Sequence, residues 1–219
     1  MSLYEKYFLP KLLDCCCGME GFQKKRAQIV PLAYGRVLEI GIGSGLNFDF
    51  YNFDIVDEVV GVDPAVSSVA IAKSRSSKYN SKISFIEETA ESIALESETF
   101  DCVVIGYTLC TIPEPLQALA EVNRLLKPSG SLFFMEHGLA PEESVQKWQH
   151  RIAPGWKKIA GGCNLNRNIE ELILSGGFEF KDLKKKYIKG PKILSFQYYG
   201  EAVKACLLYT SDAADDVNG

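Results

Sequence analysis

Residues 37–47 read VLEIGIGSGLN: an apolar run carrying one acid, Glu39, followed by Gly41, Gly43 and Gly45 at alternate positions. A buried strand that breaks into a glycine loop and then enters a helix is how an open α/β sheet begins. The loop then lies at the carboxyl edge of the strand, where such sheets bind ligands. The rest of the chain keeps that rhythm, with apolar, β-rich runs alternating with segments of helical spacing. The pattern predicts strands at 36–40, 58–63, 82–87, 101–106 and 131–136, with helices at 65–79 and 114–126. The second helix starts after a proline and ends before KPSG. Beyond the fifth strand comes a longer segment, 141–160, with both tryptophans, then a helix at 168–175 and a Gly-Gly turn. Strands at 178–183 and 193–199 close the chain. The expectation is one α/β domain with seven strands, mostly parallel, helices on both faces and a C-terminal hairpin.

At 219 residues the chain is long enough for one well-buried core. No stretch reaches the roughly 18 uninterrupted apolar residues of a membrane span, and no signal segment opens the sequence. The seven cysteines include a Cys15-Cys16-Cys17 run but no regular framework, so reduced thiols in a cytoplasmic protein are expected. Residues 1–30 read as a helical cap with a partly apolar face from Leu3, Phe8, Leu12 and Leu13, expected to pack on domain 31–205. Residues 206–219, beginning CLLYTSDAADD, look like a translated sequencing adapter and are read as a non-native tail. The net charge of −4 includes three acids of that tail. What remains is close to neutral, which argues against a general nucleic-acid binder.

The glycine loop admits several ligands, and its neighbours discriminate between them. A phosphate-cradling P-loop needs Gly-Lys-Ser/Thr, and no lysine follows here. A dinucleotide loop wants its third glycine where Leu46 stands. A carboxylate at Glu39 would repel a pyrophosphate, whereas beside a cation it is favourable. S-adenosylmethionine (SAM) carries a sulfonium and an ammonium and no phosphate, so it fits the acid-and-glycine pattern better. Asp63 ends the second strand, where an acid accepts ribose hydroxyls or simply caps the next helix.

With these features in place, the sequence resembles the class I SAM-dependent methyltransferases. The likeness is carried in order by VLEIGIGSGLN, VVGVDP, FDCVVIGYTLCTIPEP, EVNRLLKPSGSLFFMEHG and GGCNLNR. FMEHG and GGCNLNR are similar to the thiol S-methyltransferase branch, which has membrane-anchored animal members and shorter soluble prokaryotic relatives, many of them labelled phospholipid methyltransferases. No segment matches the animal enzymes' hydrophobic anchor. The resemblance implies a Rossmann-like fold. It also implies that Glu39, Gly41, Gly43 and Gly45 line the methionine end of the cofactor and Asp63 its ribose. The Ala90 backbone would meet the adenine, where the family usually has an acid and this chain has Thr89 before it. Gly106 and Tyr107 would meet the methionine amine.

For the chemistry, His137 leads: it follows the fifth strand beside Glu136 and either takes a proton from an acceptor thiol, stabilises its thiolate, or is a structural histidine. His150, in WQHR, reads as structural. In GGCNLNR, Asn164 and Arg167 are candidate substrate contacts under a lid that also carries Cys163, while Asn166 suits a helix-start turn. Trp148 and Trp156 would form an apolar wall or plain core, and Cys110 would border the pocket. No metal is expected, because there is no C-x-x-C and there are only two histidines. The stretch KDLKKKYIKGPK reads as a solvated strand edge rather than a lipid-binding patch. These features predict methyl transfer from SAM to a small molecule, a thiol first. A phospholipid headgroup amine is the alternative acceptor, and a SAM-binding protein without transferase activity is the alternative class.

Overall fold

Alternation along the first strand, β1 (Gly35–Ile40), sets the layers of the molecule. Successive side chains of a strand point to opposite faces. Leu38 and Ile40 enter one core cluster and Val37 enters another. The computed structural model describes residues 8–79 and 82–206. Leu3 and the rest of residues 1–7, and the tail from 207 onward, lie outside the described residues.

The chain runs through α1 (Leu9–Cys17), α2 (Glu20–Ile29), β1, β2 (Val56–Val62), α3 (Val66–Ser76), β3 (Ile83–Ile86) and β4 (Phe100–Gly106). It continues through α4 (Pro115–Leu125), β5 (Leu126–His137), α5 (Glu143–Ile159), α6 (Ile169–Ser175), β6 (Phe178–Tyr187), α7 (Lys192–Ser195) and β7 (Phe196–Lys204). The seven strands form one sheet in the order β3-β2-β1-β4-β5-β7-β6. The pairs β1–β2, β1–β4, β2–β3 and β4–β5 are parallel, and β7 runs antiparallel to both β5 and β6. The order therefore reverses between β1 and β4, and the crevice at their carboxyl ends is the place such sheets offer a ligand.

Both faces of the sheet are covered. Helix α4 starts with proline at its first position, where the missing N–H is no loss. It buries Ala118, Leu119, Val122 and Leu125 beside Leu38, Ile40, Val103 and Phe134. The opposite face packs Val37, Val59, Val104 and Met135 against Ile29 of α2 and Val69 and Ala72 of α3. Asn168 caps α6 by accepting from the Glu171 amide, and Gly176–Gly177 ends it.

The seven-stranded, mostly parallel sheet agrees with the pattern in the sequence, while several boundaries differ. The described part of the first 30 residues forms two helices broken at Gly18-Met19. KPSG is extended and belongs to β5. The stretch expected as a strand at 193–199 begins as the short helix α7 after Pro191, so β7 starts at Phe196. Its apolar residues suit either state, and the short helix begins directly after Pro191. Among the described residues no helix is long and apolar enough to cross a membrane.

Candidate active site

The glycine loop after β1 makes three tight turns, with φ of 69° at Gly41, 53° at Gly43 and 80° at Gly45. At Gly41 a side chain is excluded twice over, since a Cβ would stand 2.2 Å from the Thr108 side chain. Beneath the loop Glu39 is 2% exposed. Its Oε1 accepts from Asn47 Nδ2 at 2.8 Å and its Oε2 from the Tyr51 hydroxyl at 2.7 Å. Asn47 Oδ1 in turn accepts from Arg26 Nε at 2.9 Å. Burial pushes the Glu39 carboxyl up to about 7 against the pull of those partners. Asp63, at the end of β2, accepts from the Gly43 amide at 2.9 Å through Oδ2 and from the Ala65 amide at 2.8 Å through Oδ1. It too is raised by burial. One carboxylate thus ties the glycine loop to the start of the next helix, and its remaining lone pairs face the cavity.

Loop, acids and sheet edge open into one cavity of about 960 Å³. Glu39, Gly41, Gly43, Asp63, Ala90, Gly106, Tyr107, Cys110 and His137 all line it. Tyr107 has a left-handed φ of 59°, held by its amide donating to Met135 O at 2.8 Å. Its ring meets Phe22 edge-on at 4.8 Å and the Arg26 guanidinium at 5.1 Å. Helix α1 forms a roof over the cavity through Leu9, Leu13, Cys16 and Cys17. A latch fastens this roof to the loop. Asp14 receives two bonds from Arg75, at 2.6 and 2.9 Å, and one from the Ser44 hydroxyl at 2.5 Å.

At the other end of the cavity three separate segments converge. His137 Nε2 lies 3.2 Å from Cys163 Sγ, and Trp156 Nε1 donates to the same sulfur at 3.3 Å. The Cys110 sulfur completes a cluster whose three ligand atoms lie within 4.8 Å of one another. Burial alone would pull the His137 imidazole down, but the Cys163 sulfur and Glu136 outweigh it and raise it. The neighbouring Cys110 thiol, then His137 and Trp156, lower the Cys163 thiol, while Cys110 is raised. Behind them Glu136 is fully buried. It accepts from the Thr108 and Leu109 amides at 2.6 and 2.9 Å, and burial pushes it up to about 7. Gln149 donates to Gly138, Leu165 and Ile193 carbonyls and accepts from Ala140, pinning the chain on both sides of the cluster.

Four expected site residues have other positions. Gly45 does not line the cavity; its turn packs on Phe48, which a Cβ would strike at 2.3 Å. Trp148 is 57% exposed with Arg151 stacked on it at 5.5 Å, and Trp156 alone of the pair faces inward. Asn164 donates to the Cys110 and Gly162 carbonyls, and Arg167 to those of Leu109 and Ile112. Both are spent on backbone carbonyls, so they hold the Leu109–Ile112 turn and do not line the cavity. His150 sits outside, against Asn166 at 2.8 Å. The lysine stretch is the outer strand β6, with Lys184 on Asp182, Lys185 on Glu170 and Lys181 on Glu201. Sequence reasoning missed the Cys110–His137–Cys163 grouping, the Asp14 latch, and Arg26 and Gln149. The three cluster members stand far apart in the chain, so no local spacing could reveal them.

Sheet order, switch-point crevice and an acid beneath a glycine loop without a phosphate-binding lysine define a Rossmann-like cofactor site, and its residues fit SAM. Residues 38–134 match the family described as "Methyltransferase domain". A rat thiol S-methyltransferase of the TMT1B type is 36% identical over 180 residues, covering 77% of this chain and 70% of that protein. A phosphatidylethanolamine N-methyltransferase of Cereibacter sphaeroides is 29% identical over 122 residues, covering 54% of this chain and 58% of that one. Among solved structures, the [4+2]-cyclase SpnF superposes with a TM-score of 0.70 at 17% identity, over 93% of this chain and 94% of its own. At that identity the likeness concerns the fold alone. The chain belongs to the class I SAM-dependent methyltransferases.

Proposed function

We propose that this enzyme methylates the sulfur of a small thiol. SAM, when bound, supplies a methyl group on a positively charged sulfur. Glu39 and Arg26 bracket the methionine end, where an ammonium and a carboxylate need opposite partners, and Asp63 takes the ribose hydroxyls. The Gly106–Tyr107 backbone and the Ala90 amide complete that half of the cavity.

The observation that carries the thiol reading is the chemistry of the opposite wall. Cys110, His137 and Cys163 offer sulfur and imidazole, and Trp156, Ile159, Leu165 and Leu194 surround them with apolar surface. Among the described residues the carboxylate behind this wall, Glu136, is fully buried and turned to the Thr108 and Leu109 amides, so it offers an amine acceptor no exposed acid. When a thiolate meets a sulfonium two opposite charges disappear, and a poorly solvated wall favours that step. His137 Nε2 stands beside the two sulfurs at the acceptor end of the cavity. The likeness to the rat thiol S-methyltransferase supports the same acceptor class.

The test offers labelled SAM with alkyl thiols, sulfide and phosphatidylethanolamine vesicles in parallel. Transfer to thiols is expected, falling by about a hundredfold in His137→Ala while SAM still binds. Transfer to the vesicles only would replace the thiol by a lipid amine.

A further inference from the structure

A second sulfur brought against Cys110 and Cys163 needs a positive charge to hold it there as thiolate. Among the described residues Arg26 and Lys189 line the same cavity, Arg26 bound to Asn47 and the Cys17 carbonyl, while Arg167 is turned to the Leu109 and Ile112 carbonyls. Cys110 stands on the turn after β4, His137 at the end of β5 and Cys163 on the turn after α5. Their ligand atoms lie within 4.8 Å of one another, with His137 Nε2 and Cys163 Sγ 3.2 Å apart. We propose that Cys110, His137 and Cys163 bind one zinc ion, leaving a fourth coordination position open to the acceptor end of the cavity.

Three arguments carry the assignment. The first is donor chemistry: two thiolates and one imidazole are the soft set that zinc takes in tetrahedral sites. Zinc–sulfur bonds of about 2.3 Å and a zinc–nitrogen bond of about 2.0 Å place the ligands about 3.5–3.8 Å apart. The His137–Cys163 distance of 3.2 Å and the 4.8 Å that bounds the cluster lie on either side of those separations. The second is rigidity, since a metal site requires ligands that are themselves held. The Cys110 carbonyl is bound by both the backbone and the side chain of Asn164, and the Cys163 sulfur accepts from Trp156. The turn leading to Cys110 hangs on Glu136, and Gln149 fixes Gly138 and Leu165, next to His137 and close to Cys163. The third is charge: a zinc ion with two thiolates is neutral overall and can lie beside buried Glu136 without an unbalanced cation. All three ligands line the cavity and no fourth joins them among the described residues. That is the arrangement of a catalytic rather than a structural zinc.

The chemistry rests on the thiol reading above. An acceptor thiol takes the fourth position and releases its proton to solvent. Its sulfur lone pair forms the new S–CH3 bond as the methyl's bond to the sulfonium breaks, and that electron pair stays on the cofactor's sulfur. The products are a neutral thioether, a poor zinc ligand that leaves, and S-adenosylhomocysteine. No oxidant or reductant takes part.

The test uses the full chain, reduced and stripped of metal, titrated with Co2+ as a coloured substitute. One Co2+ per chain is expected, with thiolate-to-cobalt charge-transfer bands and the visible bands of a tetrahedral ion, displaced by Zn2+. Cys163→Ser and His137→Ala should lose these bands while still binding SAM, whereas Cys15→Ser/Cys16→Ser should keep them. An added alkyl thiol should shift the visible bands by entering the open position. Absence of the bands, or their persistence in Cys163→Ser, would overturn the site. Thiol methylation is measured separately and should fall more than about tenfold on zinc removal and return with zinc. Full activity in the stripped enzyme would sink the zinc proposal and leave the thiol reading intact. A bound tetrahedral Co2+ with no turnover of any thiol would do the reverse.

Discussion

Glu39 carries the loop through Asn47 and Tyr51, and in the proposed function it also faces a cationic ligand, two demands that burial sets against each other. Its carboxyl is pushed up to about 7, so below that pH it is neutral and has no charge to offer an ammonium. SAM affinity should therefore strengthen as pH rises from 6 to 8, by at most about tenfold per unit below the pKa. In the ligand-free fold the sign is opposite. A carboxyl raised above its unfolded value contributes stability at low pH that is lost as pH rises through about 7. Glu39→Gln should bind SAM weakly with a flat profile, and calorimetric titration across that range checks it. A wild-type profile just as flat would remove Glu39 from contact with the ammonium. Glu39, Asp63 and His137 were legible because each sits at a strand end, where the α/β pattern alone fixes the location. Trp148 and Trp156 were not separable. Eight residues apart on a helix, they point roughly 80° away from each other, and nothing local says which direction is inward.

Helix α1 is held to the glycine loop chiefly by polar contacts around Asp14, while its apolar side faces the cavity. That makes it a roof whose closure depends on one partly exposed ion pair. Such a pair contributes on the order of 0.5–1 kcal/mol. Arg75→Ala should raise the fraction of open roof, and with it the KM for SAM, by about two- to fivefold, with global stability little changed. Faster amide exchange confined to residues 9–17 would identify the element that opened. If exchange and KM both stay put, the latch carries no closure. The apolar periodicity of residues 1–30 suggests a helix but does not place the break at Gly18, because Leu12, Leu13, Met19 and Phe22 continue the apolar spacing on both sides of it. The same limit applies at α7, where Ile193 and Leu194 suit a helix or a strand and apolar spacing does not choose between them. By contrast α4 was legible to within a residue, since proline at its start and the switch to β5 at its end are both local events.

At the scale of the whole molecule, the last described strand is paired to its end. Lys204 pairs with Phe178 at the end of the β6–β7 ladder, and the Ala205 amide donates to Gly177 O at 2.9 Å. The final strand is flanked by β5 and β6, so the sheet has both its neighbours before the last residues begin. The sheet order itself could be reached from the sequence only through the resemblance, because strand count and spacing leave many orders open. The meeting of Cys110, His137 and Cys163 is a property of that order and of the turns around it. A chain ending at Ala205 should keep the melting temperature of the full chain. It should also respond equally to the cofactor: at a hundred times its Kd, SAM adds about 2.7 kcal/mol of stability. For a domain of this size that is a rise of about 5–10 °C. Thermal unfolding of both chains with and without SAM makes the comparison, and the two should shift together. A lower melting temperature in the shorter chain would mean that residues 206–219 belong to the folded unit. An unchanged melting temperature with a smaller shift would place them at the cofactor site.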